Sequence, residues 1–329
     1  MDEAKKNGEI FSQEKLKSMI VQFVDPGRVP KNIKIIYDTS NFFSVEYNDV
    51  IILEGLPYLI RNCEREGRFT IDEQPKFWVR RAIDLSDGKM KIIKMVFHEK
   101  FNARVGDLKF ECFRSPKKES RILDIAKGHR NFMQGFSASD ASGNIIRIID
   151  YIPGKTMADY VAGLGEGHED YFFKYFPSVL DSFIELVEAI KFLHEHGEKH
   201  GDIRRDHIIR DSRDDVYRWI DFDYNYRHKE NMFGYDMFGL GNILVFLAAG
   251  DEITTQSVKR DFPSMLGNIT DGDLNIIFDN RVVNLKKIYP YISDRLNHIL
   301  MHFSKGADVF YDDTTQFLYD LLEARDCIG

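Results

Sequence analysis

The stretch HGDIRRDHIIRDSRDDVYRWIDFD, which runs from His200 to Asp223, decides the fold. Its first residues form a turn that carries Asp202, and its last residues form an apolar, β-prone run that ends at Asp221. A turn and a strand end joined by so short a segment place two carboxylates together at one edge of a sheet. We therefore expect Asp202 and Asp221 to share a site.

Two such carboxylates suit the transfer of a phosphoryl group. The transferred group carries spread negative charge, so its catalysis consists of positioning and of cations. Asp202 would face and deprotonate the acceptor hydroxyl, and Asp221 would hold a divalent metal ion. Two ordinary loop aspartates at helix caps would explain either motif alone at least as well, but the flanking sequence favours the phosphoryl-transfer interpretation.

The motifs H-G-D and D-F-D, nineteen residues apart, resemble the catalytic loop and metal-binding motif of the protein-kinase-like superfamily. The H-G-D spelling is nearer to the aminoglycoside phosphotransferase and choline kinase branches than to the H-R-D of most protein kinases. The resemblance, to an atypical bacterial-type Ser/Thr kinase-like protein, implies an α+β, bilobal fold. Its small lobe is antiparallel β plus one helix, and its larger lobe is mainly helical. ATP, with Mg²⁺ or Mn²⁺, is the implied donor.

The composition is that of a folded, acidic protein. The chain has 329 residues and a formal net charge of −8, and its pI near 5.7 argues against a nucleic-acid partner, which would need a basic face. The three cysteines are far apart in the sequence, which predicts a reducing compartment without a disulfide frame or zinc site. Because the longest apolar run is too short to cross a bilayer, we expect no membrane partner and a cytoplasmic location.

The motifs divide the chain into three parts. Residues 56–152 resemble the small β lobe of the family, and residues 153–329 resemble its helical lobe. Residues 1–55 do not match the family and are predicted to form an N-terminal elaboration of unknown purpose. Its sequence indicates a helix that starts after Ser12, followed by a β-hairpin that turns at residues 38–41.

A lysine lies in the otherwise apolar strand K-I-I-K-M, which ends at Met95. Burying Lys94 is costly unless an anion and a carboxylate meet it. In the family the matching lysine holds the α- and β-phosphates and pairs with a glutamate of a mobile helix. Glu119 matches that glutamate, although Glu99 and Glu111 are also in range. Alternatively, Lys94 extends its ammonium group into solvent from an edge strand.

The sequence D-Y-I-P-G looks like the hinge between the two lobes, where the backbone of Asp150, Tyr151 and Ile152 would pair with adenine. A plain strand and turn explains these residues equally well. The glycine-rich loop that would cover the phosphates is missing, because the segment 61–69 offers only Gly67. Arginines of that segment could supply positive charge in place of backbone amides; a solvated charged hairpin is the alternative.

Three further residues depart from the family's motifs and bear on the metal and the phosphates. His207 stands where the family has a metal-binding Asn; it is either a packing residue or a ligand, and imidazole suits Mn²⁺ better than Mg²⁺. Asp223 replaces the glycine of D-F-G and is either a second metal ligand or a solvated acid. Arg204 replaces a lysine and keeps a cation for the γ-phosphate.

The segment that would receive an acceptor is short. Asp221 and Asp236 are fifteen positions apart and no A-P-E motif occurs, so the platform on which protein kinases lay a peptide is reduced or absent. A small molecule or an atypical protein is therefore the expected acceptor. Asp236 matches the family's aspartate that accepts hydrogen bonds from the catalytic-loop backbone, although a simple charge at a helix N-terminus is the alternative.

Two functions follow from these residues. The first is an atypical kinase that transfers the γ-phosphoryl group of ATP to a hydroxyl of a protein (Ser/Thr) or a small molecule. Asp202, Lys94, Glu119 and Arg204 would hold its catalytic roles. The alternative is a pseudokinase, a nucleotide-sensing or protein-interaction module, which the missing glycine loop and His207 favour. The acids at the catalytic positions argue against a pseudokinase, since a protein without catalytic activity would not need them.

Overall fold

The computed structural model describes residues 11–68, 71–105, 108–227 and 231–328. The chain divides into two compact units, each assembled from separate parts of the sequence. The first unit is formed by Met1–His98, Pro116–Gly128 and Met133–Ile152, and the second by Glu99–Ser115, His129–Phe132 and Pro153–Gly329.

Among the described residues, the strands in chain order are β1 (Ile35–Ile36), β2 (Val50–Leu53), β3 (Leu56–Arg68), β4 (Ile71–Asp84), β5 (Met90–Lys94), β6 (Lys100–Val105), β7 (Leu108–Arg114), β8 (Gly135–Ser139), β9 (Ile145–Asp150), β10 (Gly154–Thr156), β11 (Ile208–Asp211), β12 (Tyr217–Trp219) and β13 (Tyr224–Arg227). The α-helices are α1 (Gln13–Ile20), α2 (Pro116–Ile125), α3 (Met157–Val161), α4 (His168–Lys174), α5 (Phe176–Glu195), α6 (Gly234–Ala249), α7 (Thr255–Asp261), α8 (Asp294–Met301) and α9 (Thr314–Asp326).

The first unit is built on a sheet of order β1-β2-β3-β4-β5-β9-β8. Its strands follow apolar, β-branched runs such as VIIL in β2, as expected for strands buried on both faces. Alternation along β2 sends Ile51 into the core on one face and Val50 into the core on the other. Helix α1 covers the second face with Leu16 and Ile20, and helix α2 packs against β8 and β9.

The N-terminal helix forms as predicted, and it belongs to this sheet. Ser12 caps α1 by accepting a hydrogen bond from the amide of Lys15 at 3.1 Å. The boundary predicted at residue 56 falls between β2 and β3, which pair as an antiparallel hairpin. Residues 11–55 are therefore a structural part of the first unit.

The predicted hairpin between residues 32 and 53 is wrong. Strands β1 and β2 run parallel, and Phe42–Ser44 between them forms a 3-10 turn. The ring of Phe42 lies 6.2 Å from that of Trp78 and 5.8 Å from that of Phe97, centroid to centroid. Because this aromatic contact anchors the middle of the connection, the chain crosses over and re-enters the sheet in its original direction. The antiparallel partner of β2 is β3 instead.

The second unit is mainly helical, as predicted for residues 153–329. Helix α5 buries an apolar stripe against α4, α6 and α9. Helix α6 is apolar nearly all round, buries ten of its residues, and ends at Gly250, whose φ of 68° favours glycine. Within the described part of the chain, none of the helices has the length and apolarity needed to cross a membrane.

Two small sheets complete the second unit, and one of them was not predicted. Strands β10, β11 and β12 form an antiparallel sheet, and β6, β7 and β13 form another. The sequence placed residues 99–115 in the first unit with the rest of residues 56–152. They group with the second unit because β7 pairs with β13 along four residues, from Glu111 to Arg114.

Candidate active site

The backbone of the H-G-D turn is held by the first turn of α6. The carboxylate of Asp236 accepts hydrogen bonds from the amides of His200, at 2.7 Å, and Gly201, at 2.9 Å. His194 Nε2 lies 3.1 Å from the same carboxylate, which is fully buried. The predicted role of Asp236 as acceptor for the loop backbone is confirmed, and a simple helix-end charge does not explain these contacts.

Helix α6 approaches the catalytic turn very closely at Gly239. A Cβ at this position would lie 2.6 Å from Ile203 Cβ and 2.9 Å from Ile203 O, closer than atoms can approach. Gly201 has a φ of 88°, in the left-handed region that favours glycine. These two glycines explain how the loop can rest directly on the helix, which fixes the backbone on both sides of Asp202.

Asp202 presents one carboxylate oxygen that is available for a donor. Its Oδ2 atom is buried, and among the described residues it has no hydrogen-bond partner. Its Oδ1 atom lies 3.7 Å from Arg204 Nε. Leaving a buried acceptor unsatisfied costs about 1–3 kcal/mol, so such an atom in a native protein often indicates a ligand or a catalytic role. A hydroxyl donor at Oδ2 would satisfy it.

His207 lies between the two motif acids. Its Nδ1 atom lies 2.8 Å from Asp202 O, and its Nε2 atom lies 2.6 Å from Arg204 Nη2 and 3.5 Å from Asp221 Oδ2. If Nδ1–H donates to the carbonyl, the lone pair is at Nε2. This tautomer can accept from Arg204, and it is also the form in which imidazole binds a metal ion. Asp202 and Asp221 are thus brought to one imidazole ring.

Asp221 has an unusual backbone conformation. Its φ is 69°, a left-handed conformation that costs a non-glycine L-residue roughly 1–2 kcal/mol. Such strained residues are frequent at functional sites, where the surrounding structure holds them in place. The side chain is only 9% exposed, and it faces His207.

The acids of this site could supply only part of a metal's coordination. The described residues contain no group of three or more His, Cys, Asp and Glu side chains placed to hold a metal ion. Mg²⁺ usually binds one or two carboxylates, with water and substrate phosphates completing its octahedron. Asp221, with or without His207, fits that pattern, so the residues present are compatible with a metal that binds together with a nucleotide.

Asp223 is engaged by an arginine. Both of its oxygens lie 2.8 Å from Arg114 Nη1, and the two side chains are each 2% exposed. Burial alone would lower the pKa of Arg114, but the charges of Asp223 and Asp221 outweigh it and hold that pKa well above its ordinary value. The solvated-acid alternative for Asp223 is therefore wrong, and a metal-binding role would compete with Arg114 for the same oxygens.

In the first unit, Lys94 and Glu119 form a buried ion pair. Lys94 Nζ lies 2.7 Å from Glu119 Oε1, and the two side chains are 5% and 0% exposed. Glu119 is thus the partner among the three candidate glutamates, since Glu99 and Glu111 belong to the second unit. The edge-strand alternative is wrong, because β5 has a neighbouring strand on each side.

Arg147 also belongs to this cluster, although the motifs did not point to it. Arg147 Nε lies 2.9 Å from Glu119 Oε2, and the arginine side chain is 1% exposed. Lys94 and Arg147 thus both pair with the buried carboxylate of Glu119. The signal was present in the sequence: Arg147 interrupts the apolar run IIRIID in the same way as Lys94 interrupts its own strand.

The residues predicted to contact adenine lie at the end of β9. The amides of Asp150 and Tyr151 donate to Gln134 O, at 2.8 Å, and Met90 O, at 3.3 Å. The Asp150 side chain pairs with Lys91 Nζ at 2.6 Å. Both amides already donate hydrogen bonds within the first unit. Any hydrogen bond from this segment to adenine would therefore have to use its carbonyl groups or Ile152.

Gly67 lies in β3, close to the tip of the β3–β4 hairpin. The register of the two strands shifts between Glu66 and Arg68, so an irregularity occurs at this glycine. Of the arginines considered for the phosphates, Arg61 is already engaged: its Nη1 atom donates to Asn48 Oδ1 at 2.8 Å, and its guanidinium stacks on Tyr47. Within the described residues 61–68, the segment is a strand whose one glycine is Gly67.

Comparison with curated proteins identifies distant kinases as relatives. The chain is 25% identical over 143 residues to CBL-interacting protein kinase 33 of Oryza sativa subsp. japonica, and 29% identical over 100 residues to CBL-interacting serine/threonine-protein kinase 2 of Arabidopsis thaliana. These matches cover 44% and 30% of this chain, but only 28% and 20% of the relatives. The chain thus spans less than a third of each relative's length. No family model matches.

Solved structures show the same class of fold. The kinase domain of Mycobacterium tuberculosis PknI matches with a TM-score of 0.50 and 14% sequence identity, covering 85% of this chain and 100% of that domain. The chain therefore has the protein-kinase-like, mixed α+β fold that the sequence predicted, with one strand-rich and one mainly helical unit. At this identity the likeness concerns the fold; the aminoglycoside phosphotransferase branch stays a prediction.

Proposed function

We propose that this protein is an ATP-dependent phosphotransferase, an atypical kinase that moves the γ-phosphoryl group of ATP to a hydroxyl group. The kinase relatives and the fold support the general activity. The observation that carries the proposal is the placement of Asp202 and Asp221 around His207, at 3.7 and 3.5 Å, with a buried oxygen of Asp202 left for a donor.

Each proposed role follows from a contact of the residue concerned. Asp202 accepts the proton of the acceptor hydroxyl while that oxygen bonds to the γ-phosphorus and the bond to the β-phosphate oxygen breaks. Asp221 holds Mg²⁺ or Mn²⁺, which neutralises charge on the phosphates. Arg204, 3.7 Å from Asp202 and half-buried, contributes positive charge toward the γ-phosphate. Lys94, held by Glu119, binds the α- and β-phosphates.

The acceptor is proposed to be a small molecule or an atypical protein substrate. Only fifteen positions separate Asp221 from Asp236, and the first described residues after Phe222 and Asp223 are committed to strand β13. Little of this segment is left to present a peptide. We also propose a cytoplasmic location, which the three unpaired cysteines support.

Incubation with γ-labelled ATP tests the proposal. We expect the purified chain, with Mg²⁺ or Mn²⁺, to transfer label to itself or to an added acceptor, and we expect saturating ATP with metal to raise its melting temperature. At a ligand concentration of 100 Kd, binding contributes about 2.7 kcal/mol to stability. Lys94→Met should lose this stabilisation. Lys89→Met, which changes an exposed lysine just before the same strand, should keep it.

A pseudokinase is the second candidate, favoured by the absence of a glycine-rich loop at Gly67 and by the histidine at position 207. Thermal stabilisation by ATP without any transfer of label would identify a nucleotide sensor. If ATP with metal neither stabilises the protein nor labels anything, the proposed activity is refuted and a scaffold that does not bind nucleotide remains.

His207 gives a prediction about the metal. If its Nε2 atom binds the ion beside Asp221, the wild type should prefer Mn²⁺ to Mg²⁺, because imidazole is a poor ligand for Mg²⁺. We expect His207→Asn to lower the ratio of kcat/KM in Mn²⁺ to that in Mg²⁺ by roughly 10-fold or more. His196→Asn, an exposed histidine of the same unit, is the control. An unchanged ratio would mean that His207 packs against its neighbours and does not bind the metal ion.

A further inference from the structure

The D-F-D motif is held at all three of its residues. Asp221 has the left-handed backbone described above, and Phe222 is fully buried, with its ring 5.6 Å from that of Phe132 and 4.7 Å from that of His200. Asp223 is clamped by its backbone as well as its side chain, since its carbonyl accepts a 2.6 Å hydrogen bond from the amide of Ser115. The motif therefore sits in a defined conformation.

Arg114 is the centre of this clamp. Besides the two bonds from Nη1 to Asp223, its Nε atom donates to Glu99 Oε2 at 2.9 Å, and its guanidinium lies 4.0 Å from the centre of the Tyr224 ring. The Tyr224 hydroxyl donates to the same glutamate oxygen. Arginine fits this position because only a planar fork can pair with two carboxylates and stack on a ring together.

The hairpin β6–β7 carries the clamp to the motif. Residues Tyr224–Arg227, which follow Asp223 directly, pair antiparallel with Glu111–Arg114 in perfect register. A segment paired along four residues and closed by a buried ion pair cannot shift without breaking both. The segment after the motif is thus secured by main-chain bonds, and its position is set by residues more than a hundred positions earlier in the sequence.

We propose that Arg114 is a positioning residue for the metal ligand Asp221, acting through Asp223, and that the β6–β7 hairpin is a permanent brace for the metal-binding motif. This inference rests on the proposed function. Loss of Arg114 leaves Asp223 buried without its cation and frees the turn that presents Asp221.

The test measures metal affinity separately from stability. Mn²⁺ binding in the presence of ADP is followed by electron paramagnetic resonance, and the Mn²⁺ concentration for half-maximal transfer is measured alongside kcat. Partners that orient a metal ligand typically contribute 10- to 100-fold to metal affinity. We therefore expect Arg114→Met and Asp223→Asn each to weaken Mn²⁺ binding by roughly that factor, with Arg114→Lys intermediate.

A matched control separates positioning from folding. Arg218 pairs with the fully buried Asp211 at 2.8 Å in the β11–β12 sheet of the same unit. Arg218→Met should lower the melting temperature as Arg114→Met does, and should leave Mn²⁺ affinity unchanged. If Arg114→Met does not fold, Arg114→Lys and Asp223→Asn give the same comparison, because lysine keeps the positive charge of Arg114 and asparagine keeps the shape of Asp223.

The outcomes are distinguishable. Weakened Mn²⁺ affinity in the Arg114 and Asp223 variants, with normal affinity in Arg218→Met, supports the inference. If the wild type binds Mn²⁺ with ADP and transfers label, but these variants require no more Mn²⁺ than Arg218→Met, Arg114 is merely structural and the inference is refuted. If the wild type binds neither metal nor nucleotide, the proposed function fails, and the inference fails with it.

Discussion

Asp202→Asn lowers the rate of phosphoryl transfer by about 10²- to 10⁴-fold and leaves the affinity for ATP unchanged. The amide has the same shape as the carboxylate but cannot take a proton from the acceptor hydroxyl. The loop backbone should not move, because Asp236 and the close contact at Gly239 hold it independently of this side chain. The loss should therefore lie in kcat, and ATP binding measured by thermal shift should be that of the wild type.

Asp206→Asn is the matched control for this experiment. Asp206 lies four positions later in the same loop, is 42% exposed at its side chain, and pairs with Arg204 Nη2 at 3.2 Å. Removing one partner of an exposed ion pair has little energetic effect, so we expect near-normal transfer. Equal activity of Asp202→Asn and wild type, in a preparation that transfers label, would show that another group or none acts as the base.

Asp236→Ala destabilises the second unit by roughly 3–5 kcal/mol, the range for removing one partner of a buried charged network. The two amides of the catalytic turn and the His194 ring would lose a fully buried acceptor. Since native domains are stable by only about 5–15 kcal/mol, urea denaturation should show a large decrease in midpoint. Transfer activity should fall too, because the turn that carries Asp202 loses its anchor.

Asp294→Ala is the comparison that identifies the cause. Asp294 also lies in the first turn of a helix, α8, but its side chain is 93% exposed. A helix-end charge in solvent contributes little and is screened by salt. If Asp294→Ala and Asp236→Ala destabilise the protein equally, Asp236 acts only through the helix dipole, and the hydrogen bonds to the catalytic turn contribute nothing measurable.

The environment of Asp236 also predicts how the stability of the protein depends on pH. Burial alone would raise the pKa of Asp236, but its hydrogen bond with His194, the charges of His194 and His200 and the amide of Gly201 outweigh burial, so the pKa is lowered. A lowered pKa in the folded state stabilises the protein at pH above the ordinary carboxyl value of 3.8. That stabilisation is lost as pH falls through the lowered pKa. The difference in the free energy of unfolding between wild type and Asp236→Ala should therefore become smaller at acidic pH.

The features predicted correctly are those encoded by local patterns. Lys94, Glu119 and Asp236 stand at motif positions, and the apolar strand and helix around them fix which way they face. Helix α1 followed from a cap at Ser12 and an apolar stripe that includes Leu16 and Ile20. In each case, residues within a few positions of one another carry the whole signal.

The features missed depend on pairing between distant residues. Arg147 meets Glu119 across 28 positions and Arg114 meets Asp223 across 109, and both contacts need a strand register that no local pattern specifies. The run KFNARV alternates as a strand should, but only its pairing with β7, and the pairing of β7 with β13, show which unit it joins. The direction of β1 relative to β2 was missed for the same reason, since alternation is identical in parallel and antiparallel strands.

The pairing of β2 with β3 bears on how much of the N-terminal sequence the first unit needs. The sequence predicts that the resemblance to kinases starts at residue 56. A shortened chain that starts there would expose the backbone of β3 along Leu56–Leu59, where β2 pairs, and would uncover the apolar side chains that α1 covers. Unpaired, apolar strand edges form hydrogen bonds with the strands of other chains, which leads to aggregation. A fragment of residues 56–329 would therefore have β3, an interior strand of the sheet, as an exposed edge strand that promotes aggregation. Insolubility of that fragment would say nothing about the catalytic activity of the protein.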